Sequence, residues 1–263
     1  MKKLLIVFTG LLIAYGCATV PLTGRKQLSL VSNSEIIPMA AEEYKAVIAK
    51  GPLSNDAQKT QQIRTVGMKI QRAVEQYMAN AGLSNELSGF DWEFNLIEDP
   101  KTVNAWCMPG GKVAFYTGIL PICKDETGIA IVMGHEVAHA IANHGRERMS
   151  QQMVSQLGLS TFSALMGSNP TAGKQLLMQA VGAGSNIGML KFSRQDESEA
   201  DHLGIIFLAM AGYDPSQAPV FWERMSASGG AAPPEFLSTH PANETRIKDL
   251  KGWIPEAMKY YKK

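Results

Sequence analysis

Charge of one sign, cysteine and long apolar runs are all in short supply in this chain. The 263 residues hold 25 Lys and Arg against 24 Asp and Glu. No basic excess points to nucleic acid, and no acidic run points to disorder. Three cysteines are too few for the cysteine-rich ligand sets of most structural zinc sites. No apolar stretch reaches the roughly twenty residues that a membrane-spanning helix needs. No repeat of fixed period is visible, which removes a tetratricopeptide-type partner platform. Histidine is scarce too, five in all, yet three of the five fall within "GHEVAHAIANHG", residues 134–145.

The first residues have the pattern of a signal. "MKKLLIVFTGLLIAYGC" runs from two lysines through an apolar stretch to Gly16 and Cys17, too short for a comfortable span. A cysteine directly after a small residue resembles a bacterial lipobox, in which cleavage before Cys17 is followed by lipid attachment to it. The alternative is an ordinary cleaved signal with a chance cysteine. Without residues 1–16 the chain keeps 23 basic and 24 acidic residues. Ala18, rather than aspartate, follows the cysteine, and Gram-negative sorting rules then favour the outer membrane over the inner one. Export makes a Cys107–Cys123 disulfide possible, against two buried free thiols.

Residues 17–32 read as a Pro- and Gly-punctuated tether, and residues 33–263 as one domain. Two helical patterns come first, one with Ser34 as its N-cap and one stopping at Gly82. "FDWEFNLIED" alternates like a strand, and "TVNAWCMPGGKVAFYTG" reads as two strands around a glycine turn. From Asp125 onward the pattern is helical. Residues 153–190 are nearly free of charge, with Lys174 the single exception, and read as two helices packed through small residues rather than a membrane hairpin.

His135 and His139 are four apart. On a helix that is about 40° of rotation and about 6 Å of rise, so both imidazoles reach one ion. Glu136 lies about 100° away, placed to touch a metal-bound water without binding the metal. This is the H-E-x-x-H pattern of zinc peptidases, in which Zn²⁺ acidifies water and the glutamate takes its proton. The surrounding residues Ile129, Ile131, Val132, Met133, Ala138, Ala140 and Ile141 make the helix apolar on most sides, hence buried. Two histidines and a glutamate buried there would be costly without a partner. His144, five past His139, points elsewhere on the same wheel and reads as a structural residue bonded to a nearby acid or backbone group. A third ligand is still needed. "SRQDESEADHLG", residues 193–204, puts Glu197 and Asp201 on one helical face and turns Glu199 towards water. One of the pair ligates and the other supports a ligand histidine; the spacing does not say which. His202, about 100° from Asp201, reads as structural.

"HEVAHAIANHGRER", "SRQDESEADHLG", "AGYDP" and "STHPANETRI" occur in that order. With these motifs the chain resembles the zinc metallopeptidase family that includes the HtpX heat-shock proteases and the prenyl-protein endopeptidases. "PLTGRKQLSLVS" and "NAWCMPGGKVAFYTGIL" resemble its exported, single-domain lipoprotein branch, the one that includes LoiP. The resemblance implies an α+β fold: a mainly helical gluzincin-type domain with a small β-sheet above the HExxH helix. It also implies one Zn²⁺ per chain, Glu197 as third ligand and Asp201 as its support. His240 would stabilise the oxyanion or occupy the open coordination position at rest. Arg246 either supports that loop or forms an ordinary surface salt bridge. Asn104 and Ala105 would belong to the edge strand that pairs with an extended substrate. The expected activity is endopeptidase action on unfolded or misfolded envelope proteins. The rival is a latent protease acting mainly as a chaperone or assembly factor.

Overall fold

The computed structural model describes residues 17–157, 192–228, 235–241 and 244–262. The signal segment and residues 158–190 of the uncharged stretch lie outside the described residues. Among the described residues no helix is long and apolar enough to cross a membrane.

The stretch read as a tether is part of the packed structure. Strands β1 (Cys17–Thr19) and β2 (Lys26–Leu28) form an antiparallel hairpin. Val20 at its turn end and Val31 beyond β2 are buried, as is Gln27. Helix α1 (Asn33–Lys50) follows. Its N-cap is Ser32 rather than the expected Ser34, because Glu35 reaches back to accept from the Ser32 N–H at 2.9 Å, the reciprocal half of a capping box. Helix α2 (Ala57–Asn80) starts at Asp56, whose side chain accepts from the Lys59 N–H. It ends just before Gly82, as expected, where φ is +71°.

Strands β3 (Glu93–Ile97), β4 (Ala105–Met108) and β5 (Lys112–Tyr116) form the main sheet in the order β3-β5-β4. The β4–β5 pair is the expected hairpin, antiparallel around Pro109-Gly110-Gly111, while β3 joins β5 in parallel. Both faces are covered. Trp106, Met108 and Ala114 pack with Ile36, Ala40 and Tyr44 of α1. Cys107, Val113 and Phe115 turn to the main core, with Ile63, Val66 and Ile70 of α2. Covering on both sides is why β4 and the middle of β5 are wholly apolar, while β3 keeps the expected alternation with Glu93 and Asn95.

A short helix α3 (Leu120–Cys123) leads into α4 (Glu126–Ile141), capped by Asp125. From Gly128 to Ile141 every residue of α4 is buried, so the H-E-x-x-H helix is the central rod of the domain. It ends at Asn143, whose φ of +61° turns the chain into α5 (His144–Leu157). Helix α6 (Arg194–Met210) lies against α4, its start fixed by a Ser193–Asp196 capping box. Then come α7 (Gln217–Ala227), the short α8 (Glu235–Thr239) and α9 (Glu244–Ala257), which packs on α6. The architecture is the expected α+β one, with the small sheet over the metal-binding helix. Cys107 and Cys123 are both free and buried.

Candidate metal centre

His135, His139, Glu197 and His240 converge, each burying a ligand atom within 4.8 Å of the others. Helix α4 contributes the first two, α6 the third, and the end of α8 the fourth. His135 Nε2 lies 3.1 Å from His139 Nε2 and 3.2 Å from His240 Nδ1. Oε1 of Glu197 lies 2.9 Å from His240 Nδ1 and 3.4 Å from His139 Nε2. Four donors on a tetrahedron around zinc, at the usual metal–ligand lengths, stand about 3.3–3.4 Å apart. The observed separations are close to that.

Charge agrees with geometry. Glu197 and Asp201 are both buried, and Arg246 bonds both. Its Nε and Nη2 each reach Asp201 at 2.7 Å, and Nη1 stands 2.7 Å from Glu197 Oε2. Burial, the largest single influence, would raise both carboxyls, but Arg246 together with the neighbouring histidines (His139 and His240 at Glu197, His135 at Asp201) holds them below the usual range. Glu136 goes the other way: burial and the neighbouring Glu197 push its carboxyl well up. With Glu136 ionised, three acids outnumber Arg246 and the more distant Arg148, and a divalent cation offsets the excess. Among the described residues nothing hydrogen-bonds to Oε1 of Glu136. The neutral His240 ring stands nearby, its Nε2 3.5 Å from that oxygen. The set therefore fits zinc on donor type, spacing and charge.

Each histidine ring is held from behind. Nδ1 of His135 lies 3.0 Å from Asp201 Oδ1. His240 is stacked between Phe236, at 4.6 Å, and Phe192, at 4.9 Å. Burial lowers its pKa to about 4, so it presents a neutral imidazole with a lone pair to offer. Phe192 also lies against His139, and the Arg148 guanidinium sits 3.6 Å over the Phe192 ring. Trp222 packs on His135 and under Arg246. None of these aromatics carried a signal in the sequence, since an apolar ring beside a metal site looks like any core residue.

Several expectations change. Arg246 is buried, and besides the two carboxylates it bonds the carbonyl of Pro241, so it is no surface pair. Glu199 does not face water. It is 8% exposed and covered by the N-terminal hairpin, where Arg25 Nε donates to it at 2.7 Å and the Thr23 hydroxyl bonds it too. His144 does not point away: α4 has ended at Asn143, the helical wheel no longer applies, and His144 Nδ1 lies 2.8 Å from Nδ1 of His139. The acid it was expected to bond is Glu199, at 2.9 Å. β4 is a sheet edge, yet Asn104 and Ala105 are buried. Phe236 N–H donates to Val103 O, and the Ala105 N–H is taken by the Asn104 side chain, so this end of the edge is closed. His202 is structural as expected, bonded to Glu256 and stacked on Trp253.

Residues 66–254 match the family model described as Peptidase family M48. The chain is 33% identical to mitochondrial metalloendopeptidase OMA1 of Schizosaccharomyces pombe, over 91% of this chain and 67% of that protein. It is 36% identical to the Saccharomyces cerevisiae protein of the same name, over 76% and 57%. It is 30% identical to the beta-barrel assembly-enhancing protease of Escherichia coli strain K12, over 89% and 46%. The match thus spans about half to two thirds of the length of these relatives. Zinc is the metal that peptidases of this family use, and the four converging side chains are the group that fits it.

Proposed function

Since the chain belongs to peptidase family M48, we propose that it is a zinc-dependent endopeptidase acting on unfolded or damaged proteins of the bacterial envelope. The observation that carries the reading is the unbonded Oε1 of buried Glu136 beside three converging ligand atoms. When bound, zinc polarises the scissile carbonyl and makes water acidic enough to give up a proton near neutral pH. His135, His139 and Glu197 hold the metal. Glu136 receives the proton at Oε1 and passes it to the leaving amine. Asp201 fixes the His135 ring with its proton on Nδ1, leaving Nε2 for the metal.

His240 contributes a fourth donor where a catalytic site needs an open position. With its ring between Phe192 and Phe236 and the β4 edge closed beside it, the arrangement supports a restrained resting state. Substrate then has to displace the imidazole. The assembly-factor reading draws on the same closure, and on the name of the Escherichia coli relative. Lipid attachment at Cys17 and an outer-membrane location rest on the N-terminal pattern, and the exported branch on "PLTGRKQLSLVS" and "NAWCMPGGKVAFYTGIL". Two experiments test the reading. Purified chain should degrade an unfolded protein, lose that activity to a chelator and regain it with zinc. Cells expressing the full chain should incorporate labelled palmitate, and Cys17→Ser should not. A chain indifferent to chelator refutes the first part, and an unlabelled wild type the second.

A further inference from the structure

A chain of contacts leads from the metal centre to the N-terminal hairpin. His139 turns Nε2 towards the other ligand atoms, so its neutral ring carries the proton on Nδ1. That nitrogen lies 2.8 Å from Nδ1 of His144, which must then accept. A His144 accepting at Nδ1 carries its own proton on Nε2, 2.9 Å from Oε2 of Glu199. Glu199 accepts in turn from Arg25 Nε and from the Thr23 hydroxyl. Once His139 offers Nε2 to a metal, every donor and acceptor in the series is settled, and each proton points away from the metal.

The other ligand histidine has a shorter version of the same support. His135 is backed by Asp201, and Asp201 is clamped by Arg246. In both cases an arginine holds a carboxylate that orients a ligand ring, with His144 inserted in the second case. The difference is where the arginine comes from. Arg246 belongs to α9, whereas Arg25 sits at the turn of the β1–β2 hairpin, more than a hundred residues before the carboxylate it holds. Arg25 also lies 2.8 Å from Glu147 and 3.4 Å from Asp196, so three acids from α5 and α6 face one guanidinium. Buried Val20 seats the hairpin, and its backbone bonds to Arg25 and Gly24 close the turn.

We propose that Arg25 is a positioning residue of the metal centre: the N-terminal hairpin, holding Glu199 through Arg25 and Thr23, orients His144 and through it the His139 ring. Metal affinity then depends on the hairpin being seated, although no hairpin residue touches the metal. The proposal rests on His139 being a zinc ligand.

The test is a chelator-competition titration of zinc on the purified chain, with the melting temperature of the metal-free protein followed in parallel. Arg25→Ala should weaken zinc binding about 10–100-fold, the usual range for residues that support a ligand. Lys26→Ala, on the same hairpin but with its amine bonded to Thr19 among the described residues, should bind zinc like the wild type. In a His144→Ala background, Arg25→Ala should cost no further affinity, because the link is already cut. Undiminished affinity in Arg25→Ala overturns the proposal, and so does an equal loss with His144 absent, which would mean a merely structural role. Should Arg25→Ala fail to fold, Glu199→Leu removes the acceptor of both His144 and Arg25 and should show the same loss; full affinity there also overturns the idea. An unsubstituted chain that takes up no zinc overturns the metal assignment itself, and the proposal with it.

Discussion

Gly134 and Gly204 meet backbone to backbone where α4 crosses α6: a Cβ on Gly134 would lie 2.9 Å from the Gly204 carbonyl oxygen, and one on Gly204 3.1 Å from the His135 nitrogen. Only the absence of side chains lets the helix with two ligands approach the helix with the third. Gly134→Ala or Gly204→Ala should therefore push the helices apart. The expected cost is about 1–3 kcal/mol, as for other overpacked cores, together with weaker zinc binding. Thermal denaturation of the metal-free chain and a zinc titration measure the two effects, and a melting temperature equal to wild type would refute the tight crossing.

Glu136→Gln should keep zinc and lose hydrolysis by about 10²–10⁴-fold, the range for losing a positioned general base. Metal analysis of the purified variant, beside digestion of an unfolded substrate, decides it. A variant that comes out without metal would make Glu136 a ligand.

Glu197→Ala should lose most bound zinc and all measurable activity, since it removes a ligand atom and leaves Arg246 with one acid fewer. Asp201→Ala should retain the site but bind zinc about 10–100-fold more weakly. Equal zinc content in the two variants would contradict the division of roles between them.

For His240→Ala, the position of Nδ1 among the ligand atoms leads to a gain. Activity on a large unfolded substrate should rise, or the chain should cleave itself, because substrate no longer competes with an imidazole. A fall in kcat of about 10²–10³-fold with zinc unchanged would instead assign His240 to oxyanion stabilisation. Comparing a short peptide with a large substrate separates the two outcomes.

Glu199 supplies a pH dependence. Although burial opposes it, hydrogen bonds from His144, Thr23 and Arg25 hold its carboxyl down at about 2, below the ordinary value of 4.5. A depressed acid stabilises the fold fully above its unfolded pKa, and that stability drains away as pH falls towards the folded value. Wild type should thus lose stability between about pH 4.5 and pH 2 more steeply than Glu199→Gln. Denaturant midpoints across that window provide the check, and parallel curves would remove Glu199 from the account.

What the sequence made legible was local. The H-E-x-x-H spacing, the 197/201 pair, the helix stop at Gly82 and the Gly110-Gly111 turn each depend on residues a few positions apart, where helix and hairpin geometry suffice. What it concealed came from distance or from a broken period. The wheel correctly turned Glu199 away from Glu197 but could not show that Thr23 and Arg25 cover that side. It failed at His144 because Asn143 ends the helix first. The rings of Phe192 and Phe236 around His240 left no periodic trace, and the closing of the β4 edge depends on Phe236 arriving from far along the chain.

The long reach of the Arg246 contacts ties the metal centre to synthesis as far as α9. Synthesis delivers His135, Glu136 and His139 about midway, Glu197 later, His240 later still, and Arg246 after all of them. Until that guanidinium arrives, Glu197 and Asp201 are two acids bound for the interior with their principal counter-charge missing, and burying an uncompensated charge costs several kcal/mol. The apolar face of α6, with Leu203, Ile206 and Phe207, favours seating against α4, and the two acids oppose it until Arg246 is in place. A chain ended before α9 would carry the hydrolytic motif without the guanidinium that holds its third ligand and the support of His135.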